Sequence, residues 1–213
     1  MKSKSGILTM LKEAGILFGI TLIAGLLLGF VYEITKEPIA RQQALKIQRA
    51  CAAVFEEADS FEEKVIDTSG LLDFEIQDAL AGIEANGVTI GTIYSAMSAD
   101  RTVLGYVLSS TTKDGFGGPI KIMIGVSLDG TVKGISILSI SETPGLGMNA
   151  EDDLIPQFAG KQAEAFVYTK AGAIEPNEVD VISGATITTD AIVDAVNGGL
   201  VYFKYVLQEG GDE

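Results

Sequence analysis

Residues 14–32, AGILFGITLIAGLLLGFVY, form an uncharged run of 19 residues, and no other feature limits the possible folds of this chain as strongly. A helix over that run spans about 28 Å, close to the hydrocarbon thickness of a bilayer. Its glycines at 15, 19, 25 and 29 are better tolerated in a membrane helix than in a soluble one. A cleaved signal peptide and a buried core helix are the competing readings. The run is long for a signal peptide, and Glu33-Ile-Thr-Lys-Glu-Pro38 after it offers no small-x-small cleavage site. One retained span over 14–34, behind a tail of 1–13, is therefore expected. Lys2, Lys4 and Lys12 lie on one side, and Lys36, Arg41, Lys46 and Arg49 on the other. Charge alone leaves the orientation open. A short leading tail suits an inward N-terminus, with the soluble part on the extracytoplasmic side of the inner or plasma membrane.

Beyond the span the chain carries 28 acidic and 12 basic residues, a net charge of −16. That argues against nucleic acid as a partner, because nothing there neutralises a phosphate backbone. It also argues against a domain lying on an anionic leaflet. Histidine is absent, which removes His-based triads, haem ligation by His and most zinc sites. The single cysteine, Cys51, permits neither an internal disulfide nor an iron–sulfur cluster built from this chain alone. Set in Gln48-Arg-Ala-Cys-Ala-Ala-Val-Phe55, it reads as a small apolar helix residue. Redox work by this protein would need an organic cofactor or another subunit. No metal site and no catalytic acid–base or nucleophile set is visible.

Pro38 suits the first turn of a helix, so 35–86 reads as a stalk helix to about residue 58 and short linking helices after it. From Gly87 the texture changes. Residues 88–97 and 102–111 are rich in β-branched and aliphatic side chains with partial alternation, and both predict strands. So do 120–128 and 131–140, which flank Asp129-Gly130, a two-residue hairpin signal. A short helix is expected over 151–158, a strand over 165–168, and a last helix capped by Thr188 or Thr189 and running to about 207. The predicted domain, 87–207, is α+β: an antiparallel β meander with flanking helices, followed by an acidic tail at 208–213.

Three glycine-rich loops each follow a strand-like segment: Gly115-Phe-Gly-Gly-Pro-Ile120, Glu142-Thr-Pro-Gly-Leu-Gly147 and Ser183-Gly-Ala-Thr186. Each has an ordinary reading. The first is a plain turn, Pro144-Gly145 suits a type II turn, and the third is an ordinary helix N-cap. The functional reading is a flat ligand with a phosphate. Gly117, Gly118, Gly145 and Gly147 let backbone approach a ring closely. Leu146 can cover an apolar ring face, while Glu142 and Thr143 meet polar edges beside Pro144. The small residues Ser183, Gly184 and Ala185 expose N–H groups at a helix start, where a phosphate binds well. The hydroxyls of Ser183 and Thr186 stand beside it, and one of them could carry a phosphate ester.

These loops, in this order behind an N-terminal span, resemble the G-subunit family of the Rnf complex, whose FMN-binding domain corresponds to about 87–207. The C subunit of the sodium-pumping NADH:quinone reductase is similar, and chain length favours the Rnf subunit. The resemblance implies an FMN whose phosphate is esterified to Thr186 by a separate flavin transferase that uses FAD and magnesium. It also implies a membrane flavoprotein that relays electrons inside an ion-translocating ferredoxin:NAD+ oxidoreductase, with the other membrane subunits as partners and no complete active site in this chain. Many relatives carry a histidine shortly before Glu-Thr-Pro-Gly-Leu-Gly. Here Ser139-Ile-Ser141 stands there, so no role of that side chain transfers. A flavin-free assembly module of a membrane complex is the alternative from another class.

Overall fold

A computed structural model describes residues 3–64 and 87–208. The short helices expected over 65–86 and the acidic tail from 209 lie outside the described residues. The chain divides into two compact units, Met1–Lys46 and Ile47–Glu213. The first consists of most of a single helix, α1 (Ser3–Val54). Pro38 was expected in the first turn of a helix, but it lies inside α1. The threonine of the apolar stretch is satisfied locally. Thr21 donates to the carbonyls of Leu17 and Phe18 at 3.1 and 3.0 Å, the i−4 back-bonding that lets a hydroxyl sit in an apolar helix.

In the second unit, five strands form one antiparallel sheet in chain order: β1 (Ser60–Lys64), β2 (Thr89–Met97), β3 (Val103–Thr112), β4 (Ile120–Ser127) and β5 (Val132–Ser139). The four expected strands are present, each end within one residue of its expected position. β1 falls where short helices were expected. Ser-Phe-Glu-Glu-Lys carries little strand signal of its own and is held by pairing with β2. The Asp129-Gly130 turn is also longer than expected. Ser127 N–H donates to Thr131 O and Gly130 N–H to Ser127 O, both at 2.9 Å, which closes a three-residue loop with Gly130 at φ +86°. That is the next commonest hairpin after the two-residue form.

The sheet is buried on both faces. One face carries Leu108, Ile120, Ile122, Ile124 and Val126 against the apolar side of the last helix, α3 (Thr186–Tyr202). The opposite face carries Ala96, Val107, Met123 and Leu138 against Ala50, Cys51, Val54 and Phe55, where α1 enters this unit. That helix end is seated on glycine: a Cβ on Gly125 would come within 2.5 Å of Val54 O, and one on Gly105 within 2.8 Å of Phe55 Cε2. In the chain between β5 and α3 come a short helix, α2 (Ala150–Asp153), flanked by 3-10 turns at Gly147–Asn149 and Ile155–Gln157, and a parallel pair, β6 (Val167–Thr169) and β7 (Glu178–Asp180). Asn197 of α3 clamps this segment: Phe166 N–H donates to its Oδ1 at 2.7 Å, and its Nδ2 donates to Phe166 O at 2.9 Å.

Candidate functional site

The loop after β7 turns sharply into α3. Ala185 N–H donates to Ile182 O at 3.0 Å, and Gly184 takes φ +76° at the third position of that turn. A side chain there would be strained by the backbone and would also meet Leu146 Cδ2 at 3.0 Å. The helix starts at Thr186 with Ala185 in the cap position, three or four residues earlier than the expected cap at Thr188 or Thr189, and with no side-chain cap bond. Thr189 does not cap it. Its Oγ1 donates back to Ala185 O at 3.0 Å and accepts from Ile182 N–H at 3.1 Å. Thr189 thereby braces the loop from inside the second turn. The first turn of α3 therefore keeps its N–H groups without a side-chain cap, with the helix dipole behind them.

The loop after β5 makes a similar turn. Leu146 N–H donates to Thr143 O at 3.1 Å across Pro144 and Gly145, and Gly145 has φ +78°. This is the type II turn expected of Pro-Gly. Gly147 is buried behind it, and a Cβ there would fall 2.6 Å from Thr188 Oγ1, so the second loop lies directly against the first turn of α3. The loop after β3 is packed onto the second loop in turn. A Cβ on Gly117 would lie 1.9 Å from Ser141 O, a contact only glycine permits. Glu142, 7% exposed, accepts the Gly117 N–H on Oε1 at 3.2 Å.

These contacts bring the three loops around one cleft of about 350 Å³. Its lining includes Glu142, Thr143, Leu146, Gly147, Gly184, Ala185 and Thr186, all singled out from sequence. Pro144, Gly145, Gly117, Gly118 and Ser183 stand in the same loops but shape the turns rather than the wall. Ser183 is exposed and Thr186 half-buried. Three further residues line it: Ile187 and Thr188, which sequence did not suggest as a wall, and Phe116, whose contact with a ring the sequence left open. For Phe116 the signal was available, since it is the one large side chain among the glycines of its loop. A larger groove of about 640 Å³ lies by the other end of α3, lined by Asp129, Gln162, Glu164 and Lys204 among others. Its polar groups are engaged with one another: Gln162 Nε2 donates to Asp129 O at 2.5 Å, and Lys204 pairs with Glu164 at 3.0 Å. None of the site residues singled out from sequence lies there.

Two family models match the chain: the FMN-binding domain over residues 115–201 and the RnfG N-terminal region over residues 1–54. The G subunit of a proton-translocating ferredoxin:NAD(+) oxidoreductase complex from Clostridium ljungdahlii is 31% identical over 194 residues, covering 87% of this chain and 90% of the relative. A shorter match, 36% identical over 104 residues, covers 48% of this chain and 50% of the G subunit of the sodium-translocating complex of Acetobacterium woodii. Among solved structures, Shewanella oneidensis NqrC superposes with a TM-score of 0.56 at 19% identity, over 80% of this chain and 98% of that one. That likeness is one of fold, and it agrees with the antiparallel α+β architecture described above. With both family regions matched and the Clostridium relative aligned along nearly its whole length, the chain belongs to the G-subunit family of Rnf-type ion-translocating oxidoreductase complexes.

Proposed function

We propose that this chain is the membrane-anchored flavoprotein subunit of an ion-translocating ferredoxin:NAD+ oxidoreductase complex, with the phosphate of FMN esterified to Oγ1 of Thr186. The observation that carries the reading is the cleft itself. Three loops separated by up to about seventy residues of chain meet at an uncapped helix start whose first residue is Thr186. The residues suit the group. A phosphodiester keeps one negative charge, and the first turn of α3 offers N–H donors and the positive end of a helix dipole. Ser183, Gly184 and Ala185 add no bulk in front of it. Leu146 and Ile187 supply apolar wall, while Glu142 and Thr143 supply polar edge. Gly117, Gly118, Pro144, Gly145 and Gly147 hold the two other loops close enough to form the slot.

Bound there, FMN supplies reversible uptake and release of electrons. The chain's own part is to fix the ring's position, limit water around it and tune it by hydrogen bonds and nearby charge. Donor and acceptor come from the other membrane subunits, which are the partners. In maturation a separate transferase joins Thr186 Oγ1 to the FMN phosphorus of FAD. The phosphoanhydride breaks, AMP leaves, and the threonine proton passes to a base of the transferase. Anchoring rests on α1, whose apolar stretch is exposed on all sides among the described residues. The soluble domain is placed on the extracytoplasmic side, where a tethered cofactor cannot be lost by dissociation.

The test is intact mass and in-gel flavin fluorescence under denaturing conditions, on full-length chain co-expressed with the transferase. The wild type gains one FMN less one water. Thr186→Ala gives a folded chain without that increment. Flavin retained on Thr186→Ala moves the attachment elsewhere, and an unmodified chain recovered from an active native complex ends the proposal.

A further inference from the structure

The fold leaves one large aromatic side chain in solvent at the cleft and gives it no packing partner of its own kind. Phe116 is 69% exposed, and among the described residues no aromatic ring or cation stacks on it. Its position is nevertheless held. Gly115 on one side cannot carry a Cβ because Gly118 O would lie 2.3 Å away, and Gly117 on the other is pressed against Ser141 O. The turn closes through Gly118 N–H to Gly115 O at 3.3 Å and is tied to the second loop by the Gly117–Glu142 bond. The phenyl is thus the only side chain between Gly115 and Gly118, and it lines the same cleft as Thr186.

Leu146 and Ile187 line that cleft with it and are 41% and 54% exposed. Removing a phenyl of this size from water is strongly favourable. A loop that only had to turn would place a small polar residue here. An exposed phenyl held on a pinned backbone, lining one cleft with two more exposed apolar side chains, is the arrangement a flat aromatic ligand completes.

We infer that Phe116 packs on the isoalloxazine ring of the tethered flavin and excludes water from that part of it. The inference rests on the flavin reading above. Phe116 is a contact and shielding residue. It supplies no proton and forms no bond, so its effect is on the ring's solvent access rather than on attachment at Thr186.

The experiment uses full-length chain co-expressed with the transferase, with intact mass measured first. Phe116→Ala and Phe116→Leu are expected to carry flavin at wild-type stoichiometry, because the ester forms at the far end of the cofactor. Iodide quenching of the flavin emission should rise severalfold in Phe116→Ala and less in Phe116→Leu. Phe116→Trp should lower the emission severalfold, since an indole in contact with the excited ring quenches it. Ile174→Trp, at a residue 86% exposed and outside the cleft, is the matched control and should leave emission unchanged. Loaded Phe116→Ala with wild-type iodide quenching, together with loaded Phe116→Trp of undiminished emission, overturns the inference and assigns the phenyl to a protein partner. A wild-type chain without the flavin mass overturns the underlying reading, and this inference with it.

Discussion

Two apolar, glycine-bearing helices differ in what satisfies them. In α1 the glycines at 15, 19, 25 and 29 have nothing within 4 Å of a notional Cβ, and Thr21 and Thr35 bond back to their own helix. In α3, 13 of the 17 residues are buried, so its groups need neighbours. A Cβ on Gly198 would fall 2.6 Å from Val88 Cγ1 and one on Gly199 2.6 Å from Ile124 Cδ1. Ala195 O accepts from Ser110 Oγ at 2.7 Å, and Asn197 reaches across to both backbone groups of Phe166. Composition does not separate the two helices. What does is whether the polar groups close within the helix, as an apolar solvent requires, or close onto another element, as a protein core requires.

The largest effect that could break this contrast is expected at Asn197. Asn197→Ala leaves the buried N–H and C=O of Phe166 without partners, at about 1–3 kcal/mol for each. Urea unfolding of the full chain in detergent should shift to markedly lower denaturant. Thr21→Val, which removes only a local bond, should leave the transition in place. Equal shifts for the two would abolish the distinction. Gly199→Val comes next, at about 1–3 kcal/mol, because the added methyls meet Ile124 in a filled core. Gly19→Val should not move the domain's unfolding midpoint. The smallest effect lies at Cys51, where α1 becomes a core element. Burial pushes its thiol up from 9.0 to about 11. The folded state thus holds the proton more tightly than the unfolded one, and the associated stability is complete below pH 9.0 and is lost as pH rises to about 11. The wild type should lose stability across that window faster than Cys51→Ala. Parallel pH profiles would show that the thiol is not insulated there.

Much of the meander was legible because β-branched alternation and glycine punctuation are local signals. The ends of β2 to β5 follow them within about a residue. β1 was not legible: its pattern is weak, and it exists through β2. The start of α3 reads too late in the sequence because Thr188 and Thr189 look like caps, yet both are buried and Thr189 is used as a brace. The chemistry-bearing loops were recognisable as types, whereas Phe116 stayed unassigned and Ile187 was missed as a wall, because a wall is defined by what stands opposite it.

The sequence by itself determined the elements whose physics is local: an uncharged stretch long enough to cross a bilayer, strands set off by turns, and small residues ahead of a helix. Only the tertiary structure decided that loops beginning near residues 115, 142 and 183 share one cleft, and that Thr186 is the first residue of the helix facing it. That outcome depends on contacts between segments far apart in the chain, such as Gly117 against Ser141 and Gly147 against Thr188. Whether a missing Cβ opens a path for backbone or merely leaves a gap is settled by the neighbour, and the neighbour is chosen by the fold.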